Sequence, residues 1–166
     1  FKMNLYVKNN KFWFELENLT RLFFPNEKIN VYKEFDAIET PYIYSEFSDE
    51  ISVKVQINSF SEEHTAKIVG NDVEDELSTV QLLYKMLCNY SGITQPWGLL
   101  TGVRPVKLLR RVGEEIGEEN AQKKFLNDYF VSEEKLSLAR ETEINEKKIL
   151  NLSKPESFSL YVGIPF

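Results

Sequence analysis

Cysteine and histidine are almost missing from this chain, which has one of each, Cys88 and His64, in 166 residues. A single cysteine excludes an internal disulfide framework and fits a reducing, cytoplasmic setting. Together the two residues cannot furnish the ligand set of a zinc or thiolate-held iron–sulfur site within the chain. Basic runs are lacking too: 20 Lys and Arg stand against 26 Asp and Glu, a net charge of −6. A nucleic-acid partner would call for a basic footprint, so none is expected. No apolar stretch approaches the roughly 20 residues of a membrane span. What the chain does have is an apolar share of 42% with 13% aromatics, enough for a packed core. Its length suits one ordinary core, or two small units sharing one.

Met3, Leu5 and Val7 alternate with polar neighbours, the period of a half-buried strand. Phe12, Leu16, Leu19 and Phe23 then recur at helical spacing, and Pro25 closes that segment. A hairpin at Asn9-Asn10 leading into a strand over Phe12–Leu16 is the alternative, but the stripe continuing to Phe23 favours the helix. Ile29–Tyr32 reads as a short strand, and residues 36–50, with Pro41 and several acids, as a loop of partial order. Ile51, Val53, Val55 and Ile57 alternate cleanly, a strand with one face in the core. Ser59–Glu63 reads as a turn and His64–Val69 as the returning partner. Asn71 with Glu74 resembles a capping box, followed by a helix with Leu77, Val80, Tyr84 and Leu87 on one stripe and Gly92 at its end. The fold class is therefore α+β: a β-α-β-β-β-α unit over 1–91, helices on one face of the sheet.

Residues 92–152 differ in kind. Gly92, Pro96, Gly98, Gly102 and Pro105 crowd into fourteen residues, a crossover built from backbone specialists. Pro105 suits the first position of a helix to about Val112. Glu118–Tyr129 and Ser132–Leu150 read as two more, the last capped by Ser132. Lys154-Pro155 breaks it before a terminal strand that runs into a loop over Ser157–Phe166; without neighbours, Phe158–Phe166 is expected to stay disordered or pair with a foreign edge.

Candidate chemistry is sparse. Arg104, Lys107 and Arg111 fall at i, i+3 and i+7, on one helix face, with Arg110 beside them. One reading is a solvated face paired with Glu114 and Glu115. The other is a docking surface for carboxylates. The Gly92–Pro105 stretch lacks the Gly-Lys-Ser/Thr ending of a phosphate loop, and a tight crossover held by Trp97 in a core accounts for it. His64 reads as a hydrogen-bonded edge residue, Cys88 as a small apolar filler, and Asp72, Glu74, Asp75 and Glu76 as a helix-start cluster. No nucleophile, base and oxyanion donor are assembled.

Three stretches carry a resemblance: Leu100-Thr101-Gly102-Val103-Arg104-Pro105-Val106-Lys107, Asp128-Tyr129-Phe130-Val131-Ser132-Glu133-Glu134-Lys135, and Ser159-Leu160-Tyr161-Val162-Gly163-Ile164-Pro165-Phe166. The last resembles the strand before the cluster loop of oxygen-independent coproporphyrinogen-III oxidases, radical S-adenosylmethionine enzymes. The first two are similar to their longer-fronted branch, the coproporphyrinogen dehydrogenases of HemZ type. The resemblance covers about residues 90–166, while 1–89 match in element order.

It implies an N-terminal fragment ending just before a Cys-x-x-x-Cys-x-x-Cys run, with 153–166 the first strand of a truncated radical S-adenosylmethionine barrel. The parent would bind S-adenosylmethionine and a [4Fe–4S] cluster and turn substrate propionates into vinyl groups on the way to protoporphyrinogen IX. Tyr161 occupies the family position that contacts S-adenosylmethionine; at Gly163 the shorter relatives have histidine, so that residue's role does not carry over. The fragment itself is expected to hold no cluster and to be inactive, serving the catalytic barrel of the same chain as a docking module. Arg104, Lys107 and Arg111 are then candidate contacts for a tetrapyrrole carboxylate. A haem-handling parent, or a small α/β module binding a protein or RNA, are the competing expectations.

Overall fold

A computed structural model describes residues 2–152 together with Glu156 and Phe158. Its elements run β1 (Lys2–Lys8), α1 (Trp13–Phe23), β2 (Lys28–Tyr32), β3 (Tyr42–Phe47), β4 (Glu50–Ile57), β5 (Phe60–Lys67), α2 (Asp72–Ser91), α3 (Pro105–Ile116), α4 (Glu118–Asn127) and α5 (Glu133–Leu150). The strands form one mixed sheet in the order β2-β1-β3-β4-β5. β1 is parallel to β2 and β3, while β3, β4 and β5 are antiparallel neighbours. The α+β class is as expected, with α1 and α2 packed against the sheet.

The inward side chains Met3, Leu5, Leu16, Leu19, Ile43, Ile51, Val53, Val55, Ile57, Leu83 and Leu87 make one core, all at most 1% exposed. The outer face is covered in part by the 33–41 segment, which crosses β1 to connect two strands parallel to it. Asn4 Nδ2 donates to the Glu39 carbonyl at 3.1 Å, and Glu39 N–H donates to the Tyr6 hydroxyl at 3.0 Å. Tyr6 is therefore buried on that face, stacked on Tyr32 with centroids 5.0 Å apart. At the β1–α1 corner Asn10 Oδ1 accepts the Phe12 N–H at 2.9 Å, an Asx-type turn into the helix. The hairpin alternative for Phe12–Leu16 is thereby excluded.

Two expectations are corrected. Residues 36–50 are not simply a loop, because β3 lies within them between β1 and β4, giving β-α-β-β-β-β-α. β3 alternates Tyr42 and Tyr44 outward with Ile43 and Ser45 inward, and Ser45 is 0% exposed with its hydroxyl accepting from Asn10 Nδ2 at 2.6 Å. A polar residue at a core position broke the alternation that would have announced the strand. The turn after β4 is also only two residues, Asn58-Ser59, with Asn58 at φ 52 and Ile57 paired to Phe60. Ser61, Glu62 and Glu63 thus belong to β5, an edge strand whose charges discourage pairing with a further chain.

α2 begins as read, Asn71 Oδ1 accepting the Val73 N–H at 3.0 Å, and ends at Gly92 in the left-handed conformation. Its buried stripe runs through Thr79, Leu83, Met86 and Leu87, leaving Leu77 and Val80 half-buried. Asp75 stands in the first turn of α2 with Asp72 and Glu74, as read, but has a further role. It is 1% exposed, and its carboxylate accepts the Val69 and Gly70 N–H groups at 2.8 and 3.1 Å, clamping the turn from β5.

A second core gathers Leu109, Val112, Ala121, Phe125, Val131, Leu136 and Ala139, with Trp97 packed against it. Ser132 caps α5 by accepting the Lys135 N–H at 3.3 Å. Two loops tie this helical core to the first: Leu99 N–H donates to the Tyr129 carbonyl at 2.8 Å, and Ser132 N–H to that of Pro96 at 3.0 Å. No helix among the described residues is long and apolar enough to cross a membrane. The lead strand of a barrel and its Tyr161, like the Lys154-Pro155 break, lie outside the described residues.

Candidate functional site

The residue before a proline avoids the helical region, so Arg104 is extended at φ −92, ψ 104 and becomes the N-cap of α3, with Pro105 behind it. From there the helical period sets the faces. Leu109 and Val112 turn into the second core, while Arg104, Lys107 and Arg111 stand exposed on the other side. Together with Val103 and Leu108 these three cations line one shallow depression of about 320 Å³. The structure thus brings together all three residues that the i, i+3, i+7 spacing singled out.

Arg110 does not share that face. Its guanidinium reaches α5, with Nη2 2.7 Å from Glu146 and Nε 3.7 Å from Glu143, and so helps fasten two helices. Arg111 lies 4.0 Å from Glu115, an exposed pair of little energetic weight. Arg104 and Lys107 form no ion pair among the described residues. The first turn of α3 carries no acid, so the positive end of its dipole adds to the cations. The depression can hold carboxylates by charge-assisted hydrogen bonds, and its apolar rim can meet carbon atoms.

The other singled-out residues have structural partners. His64 Nε2 lies 2.6 Å from Glu62 Oε1 on the edge strand, and Glu62 also accepts from Asn89 Nδ2 at 3.1 Å. Cys88 packs half-buried against the first core, and burial pushes its thiol above the usual range. Glu76 is likewise raised, by desolvation and then by the nearby Glu15 carboxylate. No group of three or more His, Cys, Asp or Glu able to hold a metal occurs among the described residues. The residues present therefore do not fit a thiolate-held cluster.

One feature escaped sequence reasoning. A cleft of about 560 Å³ opens at the seam of the two cores, lined by Tyr84, Lys85, Pro96, Phe130, Ser132 and others. Tyr84 was legible only as part of a core stripe, and nothing in the spacing joins it to Phe130, 46 positions later.

No protein-family model matches the chain, and no solved structure matches it. Among curated proteins, the oxygen-independent coproporphyrinogen-III oxidase-like protein HemZ of Bacillus subtilis (strain 168) is 34% identical over 112 residues, which is 64% of this chain and 22% of that protein. The chain accordingly spans about a fifth of the length of the curated relative it matches. The resemblance carried by its sequence motifs is thus borne out: the chain is similar to a HemZ-type, coproporphyrinogen-III oxidase-like protein.

Proposed function

We propose that the chain is the N-terminal region of a coproporphyrinogen dehydrogenase of HemZ type acting in haem biosynthesis in the cytoplasm, and that its α3 face receives substrate carboxylates. The parent would convert propionates to vinyl groups by oxidative decarboxylation, giving protoporphyrinogen IX. S-adenosylmethionine and a [4Fe–4S] cluster would supply the radical chemistry from the catalytic barrel of the same polypeptide, where Tyr161 would contact the cofactor. No step of that chemistry falls to the described residues. Their part is to bind and orient.

The observation that carries the reading is the depression under Arg104, Lys107 and Arg111, where two of three cations have no acidic partner among the described residues and the α3 N-terminus lies beside them. A guanidinium pairs with a carboxylate through two parallel N–H donors, and an ammonium adds a point charge. A substrate bearing several carboxylates can engage more than one of them. Similarity to a coproporphyrinogen-III oxidase-like protein supports that substrate class.

The test uses the intact parent with Arg104, Lys107 and Arg111 all changed to alanine, assayed anaerobically with S-adenosylmethionine and coproporphyrinogen III. The expected result is protoporphyrinogen formation by the unaltered protein and coproporphyrinogen affinity at least about tenfold weaker in the triple variant. Unchanged affinity removes the role of the α3 face. Failure of the unaltered protein, loaded with cluster, to form product removes the reaction.

A further inference from the structure

The cleft at the seam of the two cores shares no residue with the α3 face, and its walls are built differently. Its floor is a stacked aromatic pair, Tyr84 and Phe130, with centroids 5.3 Å apart and planes 14° apart. Phe130 stands at φ 56, a region that side chains other than glycine's disfavour, so the ring is presented there against the preference of its own backbone. The volume, about 560 Å³, falls within the roughly 300–1,000 Å³ of small-molecule sites, which occur often between packed units.

The polar groups around this floor are few, and most are already committed. The Tyr84 hydroxyl accepts the Gln95 N–H at 3.0 Å, and Asn89 is bonded to Glu62. Burial holds the Tyr84 phenol near 12 and raises the Cys88 thiol, so both stay neutral at ordinary pH. The Thr94 hydroxyl makes no hydrogen bond among the described residues, and two groups beside the Phe130 ring also have capacity to spare. Lys85 Nζ lies 5.5 Å from the Phe130 ring centroid and forms no ion pair among the described residues. Ser132 Oγ accepts the Lys135 N–H, which leaves its own proton to donate. Glu134 is the one acid in the lining.

We propose that this cleft binds a small planar aromatic molecule carrying one carboxylate. The ring lies against Phe130 and Pro96, and the carboxylate meets the Lys85 ammonium and the Ser132 hydroxyl. Glu134, the one acid in the lining, favours a single negative charge over two.

The probe is indole-3-acetate, titrated into the 166-residue chain and followed by the backbone amide shifts of the 15N-labelled protein. Tryptophol, which replaces the carboxylate by a neutral alcohol, is the matched control. Saturable shifts at Lys85, Phe130 and Ser132 are expected, with affinity about tenfold weaker for tryptophol and for Lys85→Met. Lys85 is exposed, so that variant keeps the fold. Absence of saturable shifts, shifts centred elsewhere, or equal affinity of the acid, the alcohol and Lys85→Met would each overturn the assignment.

Discussion

The Tyr84 ring lies flat on the ring of Phe130, and Phe130 reaches that place only at φ 56. Phe130 lies in the turn between α4 and α5, where the Val131 N–H reaches back to the Phe125 carbonyl at 2.9 Å, and its side chain packs against the first core. The stack contributes about 0.5–1.5 kcal/mol beyond area burial. The left-handed backbone costs about 1–2 kcal/mol, so the ring's contacts offset a local preference for glycine.

Phe130→Ala removes the ring and keeps the strained backbone, and should cost about 2–4 kcal/mol. Phe130→Gly removes the ring and relieves the backbone. It should therefore be at least as stable as the alanine variant, the reverse of the order at an ordinary helical position. Equilibrium urea unfolding of both variants decides this. An alanine variant more stable than the glycine variant by about 1 kcal/mol would mean that Phe130 does not hold a positive φ in solution.

Gly98 is the closest approach between the two loops that join the cores. A Cβ there would fall 1.9 Å from the Tyr129 carbonyl oxygen, and φ is 56. Gly98→Ala must part the loops and weaken the Leu99–Tyr129 and Ser132–Pro96 bonds, each worth about 1 kcal/mol. Hydrogen exchange at Leu99 and Ser132 should quicken roughly 30-fold, while β4 amides keep their protection. Gly113→Ala within α3 is the contrast, since its Cβ would meet nothing nearer than Glu118 Cγ at 3.9 Å. That change should stabilise by about 0.5–1 kcal/mol. Equal protection in Gly98→Ala and the unaltered chain would show that the loops part without cost.

Local chemistry was legible where one residue type implies one geometry. The Ile51, Val53, Val55, Ile57 alternation, Pro105 opening α3, Gly92 closing α2 and Ser132 capping α5 all stand as read. What failed depended on a partner outside the element itself. Ser45 could be inward only because Asn10 satisfies its hydroxyl, so β3 was hidden. Asp75 looked like its acidic neighbours, and nothing in spacing announces a carboxylate that accepts two turn N–H groups. The α3 face followed from helical periodicity alone. Arg110 did not, because its acids come from α5, 33 and 36 residues on.

Tyr44, Glu46 and Lys8 form a chain on the outer face of the sheet, with the Tyr44 hydroxyl donating to Glu46 at 2.7 Å and Lys8 Nζ 2.9 Å from the same carboxylate. Burial first, then the bond to Glu46, pushes the Tyr44 phenol up to about 12 from 10.0. The same bond, followed by Lys8, holds Glu46 below its ordinary 4.5. The signs are opposite in effect along the pH axis. Between about 10 and 12 the unfolded chain loses the Tyr44 proton first, so stability is full below pH 10 and falls as pH rises. Below 4.5 the unfolded chain takes up the Glu46 proton first, so stability is full above that pH and falls as acid is added. Tyr84, also near 12, adds to the alkaline loss. Tyr44→Phe should therefore flatten both limbs of a plot of urea midpoint against pH, and remove one of the late-titrating tyrosines seen at 295 nm. An acid limb as steep in Tyr44→Phe as in the unaltered chain would show that the hydroxyl does not hold Glu46 in its ionised form.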